Sequence, residues 1–543
     1  MDNKSSSSSS LSEAATKNTS DLSTDQVAQS EATNSTSGSR PISKNFGSNI
    51  KYKHLYGTEH PKSGTFYNLK PNTSSMDSPL IACSDMFWAV PYQGGGGPVY
   101  VSKLTAFGKV EPTCAVVNGH KAPVLDISFS PFHSNIMATA SDDSTVKIWH
   151  LDESTGVARD MTEKDALCSL NTHTHSVRSC NFHPTVSGLL FTSSLDLTLR
   201  LHDINNSKEV SCLNLGFTEG GQSSNLSFNY DGSSIALACK DRSVKIYDLR
   251  AGSIVMNTSP SSAHIGRNLR VEWCNTGKSC GSLATVSAAL SGMRQLHLWD
   301  PRDLSSPLCT QSIDNAAGQL FPMFDEGLGC IFLAGKGDTI IRSFETTFLN
   351  EGGANCVKCN EFQSSKSPIS GICLLPKRLM DIRNVEVARI LKLTTDSVYP
   401  ISFTLPRADT LKSYFQDDIY PPTRSKTSEV SVSDWIEAAK SSGGMSSLNL
   451  NPLHDSLQPD GMIPLSEKPD SPVNVSRIAV FKDDIQKAEN ENKKKEDAFT
   501  RLQDLAIQRS IYHPNASGGS HGFKCDAVPV KAETNEVEDD EWD

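Results

Sequence analysis

One pattern recurs through the middle of the chain and restricts its fold more than any other feature. SDDSTVKIWHL (Ser141–Leu151) is followed by SLDLTLRLHDI (Ser194–Ile204), CKDRSVKIYDL (Cys239–Leu249), GMRQLHLWDP (Gly292–Pro301) and KGDTIIRSFE (Lys336–Glu345). Taken at the residue after the aromatic position (His150, Asp203, Asp248, Asp300, Glu345), the steps are 53, 45, 52 and 45 residues. That is slightly longer than the ~40–45 residues of one four-stranded propeller blade. In Val146, Lys147, Ile148 and Trp149 apolar and polar side chains alternate at the strand period of two. A unit of this size cannot bury its apolar face alone, so it stacks on its neighbours, and closing the ring removes the exposed edge strands. Five repeats, with room on both sides at about 50–118 and 346–405, predict an all-β, seven-bladed β-propeller over 46–405. The first strand, near Lys51–Tyr56, is expected to complete the last blade.

The repeats resemble WD repeats, in which a Gly-His histidine, a turn Asp, a Ser or Thr and a Trp form a buried hydrogen-bond relay. Gly119-His120, Asp143, Thr145 and Trp149 match those positions, and Asp196, Asp241 and Trp299 occupy them in other copies. The resemblance therefore makes His120 and Asp143 structural and not catalytic. Other copies diverge: Trp149 becomes His202 and Tyr247, and the Gly292 copy has no turn Asp. HTHS (His173, His175) reads as the Gly-His equivalent of the next blade.

Outside the repeats the texture changes. Residues 1–45 are Ser/Thr-rich with almost no large apolar side chains and are expected to be disordered. Residues 406–473 are Pro-punctuated, with one short helix expected at Ser433–Lys440, capped by Ser433. Over 474–512 an amphipathic helix or short coiled coil is expected, with Phe499, Leu502 and Leu505 apolar and Asn492 and Lys495 interrupting the seam. Residues 513–543 form an acidic, disordered tail. The net charge is −11, and seven acids with no base lie between Glu533 and Asp543, so the remainder is only about −4. That balance argues against a general nucleic-acid binder. The chain opens MDNKSSSSSSLSEAA, without an export signal, and has no run of about 18 apolar residues, so the fourteen cysteines read as reduced thiols and no transmembrane segment is expected. CVKC (Cys356–Cys359) has half a zinc spacing and no second pair, GGGG (Gly94–Gly97) lacks the Lys-Ser/Thr of a phosphate loop, and no nucleophile–base set appears. No enzyme, metal or cofactor is expected.

Longer stretches are more specific. KYKHLYG (Lys51–Gly57) resembles the N-terminal strand of coronins, which reads Lys-Phe-Arg-His-Val-Phe-Gly. LAGKGDTIIRSFE (Leu333–Glu345) and LLPKRLMDIRNVEVARILKL (Leu374–Leu393) are similar to coronin blades, and YFQDDIYPPT (Tyr414–Thr423) to the segment that follows the propeller and folds back under it. The chain is identified on these residues as a member of the coronin family. The resemblance implies a cytoplasmic protein of the cortical actin cytoskeleton that binds F-actin and works with the actin-related-protein (Arp) nucleating complex. The family's basic filament-binding position, about thirteen residues after the glycine, falls on Lys70, as a point charge where the family has a forked Arg; Lys53 is the second candidate. The family's trimer motif (Arg, apolar, any, any, apolar, Glu) is matched by Arg501–Ala506 except for its closing Glu, so a homo-oligomer through this helix, a dimer or a monomer all stay open. EVEDDEWD resembles the acidic segments of WASP-family activators and of the tandem-propeller coronins. Glu538, Asp539, Asp540, Glu541 and Asp543 would steer toward a basic surface of the Arp complex, and Trp542 would anchor; the plainer reading is a solubilising tail. An alternative of another class comes from LWDPR (Trp299–Arg302) and IYDLR (Tyr247–Arg250), which match the pattern that propeller substrate receptors present to cullin ubiquitin ligases.

Overall fold

The computed structural model describes residues 51–467 apart from 74–77, 216–221, 250–252, 259–264, 276–280, 350–352, 365–366 and 441–447. The expectations for residues 1–45, for the helix carrying Phe499, Arg501, Leu502 and Leu505, and for the tail from Glu538 to Asp543 lie outside the described residues.

Seven antiparallel sheets follow one another along the chain. Blade 1 is Ala82–Cys83, Phe87–Pro91 and Val99–Lys103; blade 2 is Val124–Phe129, Ile136–Ser141, Val146–His150 and Cys168–Leu170. Blade 3 spans Val177–Phe182 to Lys208–Asn214, blade 4 Ser223–Phe228 to Ser253–Asn257, blade 5 Arg267–Cys274 to Cys309–Asp314, and blade 6 Leu320–Asp325 to Gly353–Gln363. Blade 7 holds Gly371–Leu374, Glu386–Leu393 and Ser397–Thr404. The first strand of each blade touches that of the next, and the seventh returns to the first, so these strands line a central channel. Apolar clusters fill the spaces between blades, as where Val146 and Ile148 of blade 2 meet Val177 and Leu190 of blade 3.

The second and third strands are buried on both faces because blades stack on either side. The expected alternation in Val146–Trp149 is therefore absent from the burial pattern, and even Lys147 is 2% exposed. Its long stem lies in the blade while its ammonium reaches Glu163 at 2.9 Å and the Ser169 hydroxyl at 2.8 Å. The turn between these strands explains the repeated Asp. The residue after it is left-handed in each copy (Ser144 φ 65°, Leu197 φ 62°, Arg242 φ 67°), and the Asp carboxylate accepts the N–H two residues on, at 2.9–3.0 Å. A short acceptor side chain thus closes a turn whose backbone cannot do so alone. In blade 1 the same turn is Gly94–Gly97, where Gly96 has φ +78°.

Ring closure differs in position from the expectation. Tyr56–Glu59 pairs with Ser397–Thr404 from Tyr56↔Thr404 to Glu59↔Ile401, and Phe66–Tyr67 pairs with the same strand at Phe66↔Val398. Residues 51–54 form a turn instead. Tyr52 and Leu55, three apart, both point into the core at 2% and 1% exposure, a spacing that suits a turn and not a strand.

After Thr404 the chain runs under the ring, across the ends that carry the loops between first and second strands. Val430–Ser431 pairs in parallel with Val186–Ser187 of blade 3, Lys426 bonds Asp85 of blade 1 at 2.6 Å, and Arg424 grips Glu326 of blade 6 at 2.6 Å and the Tyr230 carbonyl of blade 4 at 2.8 Å. The helix forms at Val432–Lys440, one residue before the expected start. Its cap is Ser431 and not Ser433: the Asp434 amide donates to the Ser431 hydroxyl at 3.2 Å, and the Asp434 carboxylate accepts the Ser431 amide at 3.0 Å, a reciprocal capping box. Trp435, two positions into the helix after Ser433, packs its ring 5.1 Å from that of His183.

Candidate functional site

The polar residues singled out by the repeats hold the blades together. In blade 2 the His120 Nδ1 lies 3.1 Å from Asp143, its Nε2 lies 2.8 Å from the Thr139 hydroxyl, and the Trp149 indole N–H donates to the same Thr139 oxygen at 2.9 Å. The hydroxyl that links His to Trp is thus Thr139. Thr145, the residue the repeat pointed to, bonds Asp143 at 2.6 Å and closes the turn. Thr139 lies on the preceding strand with its hydroxyl inward, four residues before the Asp. Burial works to raise the Asp143 carboxyl, but hydrogen bonds from His120, Thr145 and the Lys121 amide outweigh it and hold it well below the usual carboxylate range.

Blade 3 repeats the set with His173, 2.9 Å from Asp196 and 2.8 Å from Thr192, and here His202 takes the place of the Trp, 2.9 Å from Thr192. In blade 4 Asp241 bonds Ser243 at 2.6 Å, and in blade 5 Trp299 donates to Thr285 at 2.8 Å. Both ring nitrogens of His120 and both carboxylate oxygens of Asp143 are engaged in hydrogen bonds within the fold. Cys356 is buried and Cys359 half-buried on one outer strand of blade 6.

The two lysines proposed for filament contact are not brought together. The segment Tyr56–Tyr67 climbs the edge of blade 7 from the Thr404 end of its neighbour to the Ser397 end. Lys53 lies before this climb, in the turn where Lys51 contacts the Asp418 carbonyl of the underlying segment. Lys70 lies after it, on the opposite face, where the Gln93 amide of the blade 1 turn donates to the Lys70 carbonyl at 2.9 Å. Its backbone is clamped, while its exposed ammonium makes no hydrogen bond or ion pair among the described residues. Two further cations that the motif did not indicate lie around Tyr67, just before Lys70 in the chain. Lys109 pairs with Tyr67 on the adjacent strand, and the Lys62 ammonium sits 5.2 Å from the Tyr67 ring centre. Lys62 and Lys109 thus share the neighbourhood of Tyr67, three residues before Lys70 in the chain, and the three lysines are termed the basic corner where blade 7 meets blade 1.

Comparison with known proteins agrees with this architecture. Residues 112–150 and 164–203 match the WD domain, G-beta repeat family, residues 398–441 match a type of WD40 repeat, and residues 46–109, which contain the basic corner, match a domain of unknown function (DUF1899). Over 426 residues the chain is 30% identical to Coronin-2A of Bos taurus, covering 77% of this chain and 76% of that protein. The chain belongs to the coronin family. The Coronin-like protein crn1 of Schizosaccharomyces pombe is 32% identical over 410 residues, 75% of this coronin and 65% of that protein. Coronin-7 of Rattus norvegicus is 31% identical over 435 residues, of which this coronin spans 44%. In structure, the WD40 domain of Toxoplasma gondii coronin superposes with a TM-score of 0.65 at 25% identity, covering 75% of this coronin and 98% of that domain. The coronin propeller is therefore present from its closing strand to the segment beneath it.

Proposed function

We propose that this coronin is a non-enzymatic, actin-associated protein that binds filament sides through the basic corner at Lys62, Lys70 and Lys109 and engages the Arp nucleating complex through its acidic tail. The observation that carries the reading is Lys70, at the position the coronin resemblance assigns to filament binding, with a fixed backbone and an exposed ammonium that makes no hydrogen bond or ion pair among the described residues. Actin filaments are acidic, so contact with such a corner weakens with salt. In the tail the carboxylates raise encounter rates with a basic surface, while Trp542 can bury on the order of 200 Å² and supplies the anchor. The cullin reading has little to rest on: Arg302 folds back on Asp300 of its own turn at 2.9 Å, and the coronin relatives give it no support.

The test uses the full-length chain. Lys70→Asp should lower cosedimentation with filaments at least fivefold while leaving the melting temperature unchanged, and Lys53→Asp, on the other face, should leave pelleting unaltered. The reverse pattern would move the filament site beneath the ring. Recovery of the Arp complex on immobilised protein should fall for Trp542→Ala; equal recovery would reduce the tail to a solubiliser.

A further inference from the structure

The channel contains a cavity of about 460 Å³ walled by the first strands of all seven blades. Its lining is polar on one side, where blades 2 to 5 contribute Asp126, Arg178, Asn181, Asn225, Arg270 and Glu272. Many of these groups have structural work. Asp126 accepts the Cys180 amide of blade 3 at 3.0 Å and the Ser78 hydroxyl at 3.2 Å, and Asn225 accepts the Val271 amide of blade 5 at 2.7 Å. Such bonds tie the first strand of blade 2 to that of blade 3, and that of blade 4 to that of blade 5. The Arg270 guanidinium lies 4.5 Å from the Phe321 ring centre.

Arg178 is different. It makes no hydrogen bond or ion pair among the described residues, and its Nε is buried without a partner. A guanidinium presents five donors in a fixed fork, and a buried donor left unmade costs about 1–3 kcal/mol. A fold that keeps such a group on a cavity wall leaves it available to a ligand. The cavity charge agrees. Burial pushes the Glu272 carboxyl up to about 8 and that of Asp126 up to about 6, which weakens the negative charge on this wall, and Asp126 has both oxygens engaged. Against them stand the guanidiniums of Arg178 and Arg270, with neutral amide and hydroxyl groups around them. The volume falls within the range of small-molecule sites, ~300–1,000 Å³.

We propose that this cavity binds a small soluble oxyanion, inorganic phosphate or a phosphomonoester, through the forked donors of Arg178. The site is separate from the basic corner, which lies on the outer edge of blade 7.

Isothermal titration of the full chain with sodium phosphate, against sodium chloride at equal ionic strength, tests it. One saturable site per chain is expected, at least tenfold weaker in Arg178→Gln and unchanged in the surface control Lys121→Gln. Arg178→Lys, which keeps the charge without the fork, should retain binding between the two; it also serves should the Gln variant unfold. Glycerophosphate separates the sources: binding of both anions assigns a phosphomonoester site, and binding of inorganic phosphate alone assigns the free ion. No saturable heat up to tens of millimolar, or equal binding by wild type and both Arg178 variants, would overturn the proposal. So would binding only to phosphoinositide-containing vesicles, which cannot enter the channel.

Discussion

His202 occupies in blade 3 the place of a Trp, completely buried, with its Nε2 on Thr192 and its Nδ1 without a partner among the described residues. Burial, then the nearby His173 and Arg200, holds its pKa at about 3, and burial does the same to His183 under the helix, against an ordinary 6.5. Both stay neutral in the folded protein and take a proton in the unfolded chain below pH 6.5. Their contribution to stability is therefore fully present above 6.5 and is lost as pH falls toward 3, at up to about 1.4 kcal/mol per pH unit each. Glu272 and Asp126, with raised values, act in the opposite sense over part of that window, so the difference between proteins is the useful measure. His202→Trp, which restores the indole of blade 2, should flatten the fall in urea-unfolding free energy between pH 6.5 and 4.5 by about 1–2 kcal/mol. Overpacking will lower its absolute stability, so only the slope counts. Parallel pH curves for the two proteins would refute the assignment. At this scale the sequence pattern was legible where partners are close along the chain, as with Asp143 and Thr145. It was not legible for Thr139, whose role depends on which face of its strand turns inward.

Between elements, the join of blades 5 and 6 shows what replaces a lost turn Asp. Arg294, 1% exposed, reaches the two Asp314 oxygens at 2.6 and 2.7 Å, Asp338 at 2.6 Å and the Gly318 carbonyl at 3.0 Å. Arg342 adds a second guanidinium on Asp314 at 2.7 Å. One fork thereby ties its own blade's outer strand to the turn of the next. Arg294→Ala should lower stability by about 3 kcal/mol, the low end for breaking a buried pair, because Arg342 remains on Asp314. Arg294→Lys should recover less than half of that, since an ammonium cannot span both carboxylates. A loss below 1 kcal/mol in urea unfolding would show that the network is ornamental. Repeat spacing located this blade from Gly292–Pro301, but nothing in the local sequence marks Arg294, because its partners lie 20 and 44 residues away. The helix cap is the converse case: Ser431 has Asp434 three residues on, the capping-box spacing, whereas Ser433 has Ile436 there, so the cap was legible in the sequence, and the pairing of Val430 with Val186 holds it in place.

At the scale of the whole molecule the ring is held by a seam that joins residues more than 300 apart in sequence. Tyr56–Glu59 covers the Ser397–Thr404 strand, Tyr52 and Leu55 fill the core beneath it, and Asn360 donates to the Leu55 carbonyl at 2.8 Å. The Lys392 side chain, fully buried, lies 3.7 Å from Glu59, and burial lowers its pKa, so removing that acid leaves the ammonium with less support. The repeat pattern showed that a closing strand was needed. It could not place it, because KYKHLYG reads equally as strand or turn until Tyr52 and Leu55 are seen to share one buried side. A chain lacking residues 1–59 should therefore melt about 5–10 °C lower than full length, since it loses two buried side chains worth about 2–5 kcal/mol each as well as the ladder. A chain lacking only residues 1–45, the Ser-rich stretch, should melt within about 1 °C of it. Because filament contact is proposed for the basic corner, the shorter deletion should also keep full cosedimentation, whereas the longer one should lose it in step with the fraction unfolded. Equal melting of the two deletions would mean that Phe66–Tyr67 closes the ring by itself and that the seam before Glu59 is an addition to a propeller already shut.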